Sequence, residues 1–209
     1  MGRFKNRLMA MALGCVALSG CATLEPKADP SRFFTLAPVS AFEQSDLEPS
    51  SFPGVIAIGV GPINFPGYLD REQIVTRVSQ NRFQVAENDR WVEPLQENFA
   101  RVLLENLTAL LPTAHFMNYP WRLNERPRYQ LAINLMRFEP NADGHVELVA
   151  RWILREIATK QPAPVKETRL SLPVKGTSTD AAVAALSGAV GDLSREIAQA
   201  VAFAAKAAP

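Results

Sequence analysis

Apolar and polar residues follow runs that divide this chain of 209 residues into strands and helices. Short β-branched or alternating runs predict strands, and apolar positions three and four residues apart predict helices. Predicted strands cover 32–36, 55–60, 73–78 and 83–85, and an antiparallel three-stranded meander covers 129–138, 145–157 and 165–172. The middle strand of the meander has one apolar face, which predicts that this face lies against a core.

Two long helices complete the pattern. The first begins near a candidate cap at Asp89, counts Trp91 among its apolar positions, and ends before Pro112. The second is capped by Ser178 or Thr179 and has an apolar face along most of its length. The simplest assembly is an α/β, two-layer domain. It has a mixed β-sheet that includes the C-terminal antiparallel meander, with the two helices packed on one face.

The first twenty residues have the pattern of a secretory signal peptide, because basic residues precede an uncharged, mostly apolar run over 8–18. That run is about half the ~20 residues that a transmembrane helix needs. It ends in Leu18-Ser19-Gly20-Cys21, which resembles the bacterial lipobox. The resemblance implies that Cys21 becomes the mature N-terminus and carries an N-acyl diacylglyceryl lipid. The alternative is an ordinary signal peptide with an incidental cysteine.

These features predict three segments: a lipoprotein signal peptide at 1–20, a lipidated tether at 21–30, and a single domain at 31–209. The residues that follow Cys21 in the tether reach at most about 30 Å when extended. Ala22 follows the cysteine, and in the lipoproteins that this sequence resembles an alanine there is compatible with export to the outer membrane.

Composition excludes several functions. Removal of residues 1–20 takes away three basic residues and changes the formal net charge from +1 to about −2, which leaves no electrostatic footprint for nucleic acid. His115 and His145 are the only histidines, and no Cys/His cluster has metal-ligand spacing. Neither histidine lies in a recognisable nucleophile motif. The sequence therefore assigns no catalytic residue and no metal ligand, and a hydrolase is the weakest hypothesis.

One cluster of residues is a candidate partner-binding site, because Arg, Tyr and Trp are enriched at protein–protein hot spots. Its members lie beside a Pro-Gly turn or about twenty residues later: Tyr68, Asp70, Arg71, Gln73, Arg77, Arg90 and Trp91. The structural interpretation is that the charged members form ion pairs that hold a hairpin to the start of the first helix, while Trp91 fills the core. Both interpretations stay open, and both can hold together.

Two motifs carry a family resemblance. They are P-G-Y-L-D-R-x-Q-I-V-T-R at Pro66–Arg77 and R-W-x-E-P-L at Arg90–Leu95. With them, residues 58–107 strongly resemble the ABC-type transport auxiliary lipoproteins, the PqiC/YmbA group of MCE transport systems. The resemblance extends weakly to Phe33-Phe34-Thr35-Leu36 and to the general layout through the second helix.

The resemblance implies an outer-membrane lipoprotein that faces the periplasm, has no enzymatic activity and has no cofactor beyond its lipid. Its expected partners are an MCE-domain tunnel protein and an inner-membrane permease complex. A tunnel built from several MCE copies would favour a homo-oligomeric ring of this chain. The alternative is a carrier for a lipid or small apolar ligand, which needs a cavity lined by residues such as Phe83, Phe99 and Trp152.

Overall fold

The computed structural model describes residues 28–38, 56–122, 125–159 and 162–207. The predicted signal peptide, Cys21 and most of the predicted tether lie outside the described residues. The chain separates into two compact units, Met1–Pro30 and Ser31–Pro209, and the second is described below.

Within the described residues, the chain forms eight strands and two long helices, and one helix follows the fourth strand and the other follows the eighth. A single 3-10 turn at Gly67–Leu69 separates the second and third strands. The elements are β1 (Arg32–Phe34), β2 (Ile56–Asn64), β3 (Gln73–Ser79), β4 (Arg82–Trp91), α1 (Leu95–Leu110), β5 (Ala114–Asn118), β6 (Tyr129–Pro140), β7 (His145–Glu156), β8 (Lys166–Pro173) and α2 (Thr179–Ala207).

The larger sheet has five strands in the order β5-β2-β6-β7-β8. β2 is parallel to both of its neighbours, whereas β6, β7 and β8 pair antiparallel. The sheet is therefore mixed, and its C-terminal half is the predicted meander. At the β6–β7 turn, the side-chain oxygen of Asn141 accepts the N–H groups of Asp143 and His145, both at 3.0 Å. Gly144 adopts φ 74°, a conformation that favours glycine.

Both helices pack against each other and contact strands of the larger sheet. Their shared core is aromatic and aliphatic, and Phe99, Phe138 and Trp152 are each at most 1% exposed. Phe99 and Phe138 meet edge to face with ring centroids 5.3 Å apart. Burial of each such side chain contributes about 1.5–3 kcal/mol. The predicted fold class, an α/β domain with a mixed sheet and two long helices on one face, is confirmed.

The expected single sheet is divided in two. β1, β4 and β3 form a separate three-stranded sheet in that order, with β1 parallel and β3 antiparallel to β4. A bridge between Arg77 and Asn141 connects it to the larger sheet. The prediction missed most of β4, because its Glu87-Asn88-Asp89 run is polar and has no apolar alternation. The short strand β5 was also not predicted.

Asp89 is not the cap of the first helix. It lies in β4, is 7% exposed, and accepts hydrogen bonds from Arg32 Nε at 2.7 Å and from Arg32 Nη2 at 2.8 Å. The Thr179 hydroxyl also donates to it. These donors satisfy the buried carboxylate, so a strand can hold an aspartate that sequence rules place at a cap.

The first helix instead begins at Leu95, directly after Pro94, which is a position where proline is well tolerated. Trp91 is therefore the last residue of β4 rather than part of the helix. α2 begins at Thr179, and its cap is Ser178, whose hydroxyl oxygen accepts the N–H of Ala181 at 3.2 Å. This agrees with the predicted pair of alternatives, Ser178 or Thr179.

The domain has two ends, which are named here by their residues. The hairpin end contains Arg32, the β3–β4 hairpin and Thr179, which Asp89 joins through hydrogen bonds. The distal end contains the start of β6, the end of β7 and the last turns of α2. There Tyr129 lies opposite Glu156, and the Tyr129 hydroxyl reaches the backbone oxygen of Ala204 at 3.5 Å.

Candidate functional site

A groove of about 610 Å³ opens at the hairpin end, between the smaller sheet and the start of α1. Two large apolar side chains at this groove are unusually exposed, Phe33 at 63% and Val92 at 61%. Asp70 and Arg71 are also exposed. We call this the hairpin groove; its lining is Phe33, Phe65, Leu69, Asp70, Arg71, Glu72, Trp91, Val92, Glu93, Pro94, Leu95, Gln96 and Glu97.

The register of β1 against β4 decides which side chains near the hairpin groove are exposed and which are buried. Phe34 lies opposite Trp91, and Trp91 is 6% exposed, so this pair belongs to the core side. Side chains alternate along a strand, and the neighbours Phe33 and Val92 therefore lie on the opposite, solvent side. The N–H of Val92 donates to the oxygen of Phe34 at 2.9 Å, which extends this pairing to the groove rim.

Arg90 on β4 contacts other residues of the smaller sheet near the groove. Its Nη1 donates to Glu72 Oε2 at 3.2 Å, and it lies opposite the half-buried Gln73 in the β3–β4 register. The buried Arg90 Nε has no hydrogen-bond partner among the described residues. An unpaired buried donor has a free-energy cost.

Tyr68 and Arg77 do not line the groove, and both donate hydrogen bonds to a buried carboxylate. Glu139 on β6 is 0% exposed, and accepts from Arg77 Nε at 2.7 Å and from the Tyr68 hydroxyl at 2.7 Å. The backbone N–H of Phe138 also donates to it, at 2.8 Å. We call Tyr68, Arg77, Phe83 and Glu139 the hairpin lock, because these contacts attach the β3–β4 hairpin to β6.

Aromatic contacts complete the hairpin lock. The rings of Tyr68 and Phe83 stack with centroids 4.6 Å apart, and the Arg77 guanidinium lies 4.2 Å from the Phe83 ring centroid. Burial and, next in size, the hydrogen bond to Glu139 raise the pKa of Tyr68 above its ordinary range. The phenol therefore stays protonated and remains a hydrogen-bond donor.

Five of the seven candidate residues divide into two groups, and the other two, Gln73 and Arg90, are half-buried in the smaller sheet. Tyr68, Arg77 and Trp91 have structural contacts in the interior, which supports the ion-pair and core interpretation for them. Asp70 and Arg71 are exposed at the groove, and no ion pair involves either of them within the described residues. The ion pairs of these candidates do not hold the hairpin to the start of the first helix, as was expected: Arg77 pairs with Glu139 on β6, and Arg90 pairs with Glu72. Glu139 is a residue that sequence reasoning missed.

A third charged group lies at the groove rim, where α1 begins. Glu93 accepts hydrogen bonds from Arg101 Nη2 at 2.7 Å and from the side-chain amide of Asn98. The Arg101 guanidinium, followed by the Asn98 amide, lowers the pKa of Glu93. Asn98 also accepts the N–H of Leu36 at 2.9 Å, so the rim is attached to the segment that follows β1.

The three residues expected to line the cavity of a carrier take part in side-chain packing. Phe99 and Trp152 are 0% and 1% exposed between the sheet and the helices, and Phe83 lies in the hairpin lock. In the part of the chain that the structure describes, no three His, Cys, Asp or Glu side chains are grouped to hold a metal ion. Among the same residues, no helix has the length and apolarity to cross a membrane.

Comparisons with known proteins assign the chain to a protein family. The model of the ABC-type transport auxiliary lipoprotein component family matches residues 34–198. The intermembrane transport lipoprotein PqiC of Escherichia coli is 23% identical over 148 residues, which cover 69% of this chain and 72% of the relative. A protein of the same name from Shigella flexneri matches to the same extent.

Two crystal structures have the same fold at low sequence identity. One is of an uncharacterized protein, with a TM-score of 0.67 and 19% identity, and covers 82% of this chain and 98% of that protein. The other is of a Xanthomonas campestris protein, with a TM-score of 0.67 and 16% identity, and covers 82% and 95%. The family model spans most of the described domain, including both motifs and every lining residue of the hairpin groove except Phe33. The chain belongs to the family of ABC-type transport auxiliary lipoprotein components.

Proposed function

We propose that this protein is an outer-membrane-anchored, periplasmic lipoprotein subunit of an ABC/MCE-type intermembrane lipid transport system. In this role it docks an MCE-domain tunnel protein that works with an inner-membrane permease complex. The lipid on Cys21 holds the domain at the membrane, and the domain aligns the end of the tunnel. Energy comes from the ATPase elsewhere in the system, so the lipoprotein itself acts as a scaffold.

The observation that carries this proposal is the hairpin groove in a member of a transport auxiliary family. Exposed Phe33 and Val92 stand beside the exposed charges of Asp70 and Arg71. Apolar side chains with a polar rim are the usual composition of a protein–protein contact. The relative from E. coli is named for intermembrane transport, which supports the same process for this chain.

The groove proposal is tested with Arg71→Glu and Val92→Asp in the lipidated protein. Each variant should reduce the amount of MCE-domain protein that is isolated with it from detergent-solubilised membranes by roughly fivefold or more. Both side chains are exposed, so the thermal melting temperature should not change. Val85→Asp is the matched control, because Val85 is 40% exposed but does not line the groove. Unchanged co-isolation in both groove variants would remove the groove from the docking surface.

The anchor has a separate test. Cys21→Ala should move the protein from the membrane fraction to the soluble periplasmic fraction, because the lipid is the expected attachment. Retention of this variant in the membrane fraction would contradict the role of Cys21.

The proposed homo-oligomeric ring is tested by gel filtration of the domain. A domain that stays monomeric at high protein concentration would contradict the ring.

A further inference from the structure

The side of the larger sheet that faces away from the helices is rich in arginine. Alternate residues of β7 from Val146 to Trp152 are each at most 1% exposed and pack in the core shared with the helices. Side chains alternate along a strand, so the residues between them point to the opposite side. Arg151 and Arg155 are among these, and Arg137 on β6 and Arg169 on β8 lie on the same side by their register. We call Arg137, Arg151, Arg155 and Arg169 the arginine face.

The burial of Val149 shows how closely these arginines are packed. Val149 points to the same side as they do, yet it is only 4% exposed. Arg137 and Arg169 lie opposite it on the two neighbouring strands, and Arg151 is the next residue on the same side of β7. The aliphatic stems of these arginines are placed to cover Val149, while their charged heads stay in water. The guanidinium groups are therefore collected over one part of the sheet.

The positive charge of the arginine face is only partly compensated. Arg151 and Arg169 share one carboxylate, Glu167, which accepts from the Nε of each arginine at 2.7 Å. Arg137 and Arg155 have no ion pair within the part of the chain that the structure describes.

Other acids on this side of the sheet do not cancel the remaining charge. Glu139 on β6 is paired with Arg77, so it adds no net charge. Glu147 on β7 is a free anion that accepts from the Ser171 hydroxyl at 2.7 Å. The four arginines therefore exceed Glu147 and Glu167 in charge, although the mature chain has a formal net charge of about −2. An anionic partner is complementary to this side of the sheet.

Arg155 is held in place by a neutral residue rather than by a carboxylate. Gln130 lies opposite it on β6, is 7% exposed, and accepts from Arg155 Nε at 2.8 Å and also from Nη2. The Gln130 amide in turn donates to the backbone oxygen of Gly61 at 2.8 Å. An arginine that is oriented in this way, with its charge unpaired, is suited to bind the oxygens of a phosphate group.

Two aromatic side chains lie beside Arg155. Gly59 on β2 is in register with Gln130, and the Trp121 ring fills the space above this glycine, 2.6 Å from where a Cβ would be. The Tyr119 ring meets the Trp121 ring edge to face with centroids 5.3 Å apart, and Tyr119 is 49% exposed. Tyrosine and tryptophan are the residues enriched where proteins meet the headgroup region of a membrane.

The composition of the arginine face favours lipid headgroups over an acidic protein. A protein contact has an apolar centre with a polar rim. Here the middle of the face has the opposite arrangement, since Val149 is buried beneath arginines and Ile153 is half-buried. Basic residues spread over a surface are instead attracted to anionic lipids. A domain that is anchored by a lipid also meets the headgroups of its own membrane at high effective concentration.

We propose that the arginine face, with Tyr119 and Trp121 beside it, binds the phosphate groups of anionic phospholipids at the membrane surface. This inference rests on the lipid anchor in the proposed function and adds a second contact with the same membrane. Each arginine contributes only a small attraction that salt weakens, so the face does not retain a chain that lacks its lipid. Release of Cys21→Ala from membranes is therefore expected under both proposals.

The test reconstitutes the lipidated protein in phosphatidylethanolamine vesicles with or without phosphatidylglycerol. Both vesicles carry the same amount of a phosphatidylcholine with a nitroxide on its headgroup, which quenches tryptophan fluorescence at short range. Trp91 and Trp152 are 6% and 1% exposed, so the half-buried Trp121 is the tryptophan that this quencher reaches. Quenching should be about twofold stronger or more with phosphatidylglycerol, and 1 M salt should remove the difference. Trp121→Phe should remove it as well.

Charge-removing variants assign the effect to the arginine face. Arg137→Gln/Arg155→Gln should lower the phosphatidylglycerol-dependent quenching by about twofold or more. Because Arg155 contacts the buried Gln130, Arg137→Gln alone is included, and it should keep the melting temperature and give a smaller loss of quenching. The matched control is Arg82→Gln/Lys175→Gln, which removes the same charge from two exposed residues outside the face and should leave the quenching unchanged.

Flotation of the same vesicles separates this inference from the proposed function. A protein that floats with the vesicles but shows equal quenching with and without phosphatidylglycerol leaves the proposed function intact and overturns the inference. A protein that does not float has no lipid anchor, and both proposals then fail. Equal losses of quenching in the arginine-face pair and the control pair would show that only net charge matters, which also overturns the inference. So would an arginine-face pair that keeps the quenching but loses co-isolation of a protein partner, since the face would then bind an acidic protein.

Discussion

Two pairs of residues in the Pro66–Arg77 motif have opposite surroundings, and we call Tyr68 and Arg77 its buried half and Asp70 and Arg71 its exposed half. Tyr68 and Arg77 point to a carboxylate that is fully buried, whereas Asp70 and Arg71, which lie between them, are exposed at the hairpin groove. The residue types do not explain this difference, since each half contains an arginine. What separates the halves is Glu139, a countercharge on a strand more than sixty residues away. The role of a charged residue in this motif is therefore set by whether the fold supplies a buried partner.

The largest loss of stability should come from reversing the charge of Arg77 in the buried half. Arg77→Glu should lower the free energy of unfolding by about 3–5 kcal/mol, because Glu139 is 0% exposed and would lose its cation while gaining a second anion nearby. Equilibrium denaturation in urea measures this change. The matched control is Arg71→Glu, which should change stability by less than about 0.5 kcal/mol, as surface substitutions usually do. Equal losses in the two variants would show that the halves do not differ.

A smaller effect should follow from removal of a single donor in the hairpin lock. Tyr68→Phe keeps the ring that stacks on Phe83 but removes the hydroxyl that donates to Glu139 at 2.7 Å. The expected loss is about 1–3 kcal/mol, because a buried carboxylate loses one of its hydrogen bonds. The control is Tyr119→Phe, since Tyr119 is 49% exposed, and it should have little effect on stability. A Tyr68→Phe variant as stable as the parent would mean that the Arg77 and backbone contacts suffice for Glu139.

The fold was predictable where one face of an element is continuously apolar. The β6–β8 meander and α2 have such faces, and their observed bounds lie close to the predicted ones. β4 was mostly missed because its Glu87-Asn88-Asp89 run is polar, and Asp89 is compensated inside the strand by the distant Arg32 and by a hydrogen bond from the Thr179 hydroxyl. That compensation depends on tertiary contacts, so local rules assign the same aspartate to a helix cap.

The sequence predicted where the candidate site lies, but it did not predict which of the site residues are buried and which are exposed. The motif residues do lie together at the hairpin end, as their clustering in sequence indicates. Glu139 gave no local signal, since it follows Phe138 at what was predicted to be the end of a strand.

Glu93 at the groove rim is more exposed than the buried half of the motif and less exposed than its exposed half. Its replacement should have the smallest effect on stability. Its side chain is 32% exposed and pairs with Arg101, which is 44% exposed. Arg101, followed by Asn98, lowers the pKa of Glu93 from its ordinary value of about 4.5. A carboxyl with a lower pKa in the folded state binds its proton more readily in the unfolded state. Its stabilising contribution is therefore complete above about pH 4.5 and is lost as the pH falls through the lowered pKa.

Glu93→Gln should accordingly cost about 0.5 kcal/mol at neutral pH, the usual value of a partly exposed ion pair. The difference from the parent should shrink as the pH falls below about 4.5, where the parent's carboxyl also becomes neutral. Urea denaturation of both proteins across this range measures it, and 1 M salt should reduce it at neutral pH by screening. A difference that persists unchanged in acid would mean that Glu93 acts through its hydrogen-bond geometry rather than its charge. Glu93 would then act through hydrogen bonds, as the buried half of the motif does, rather than through an exposed charge.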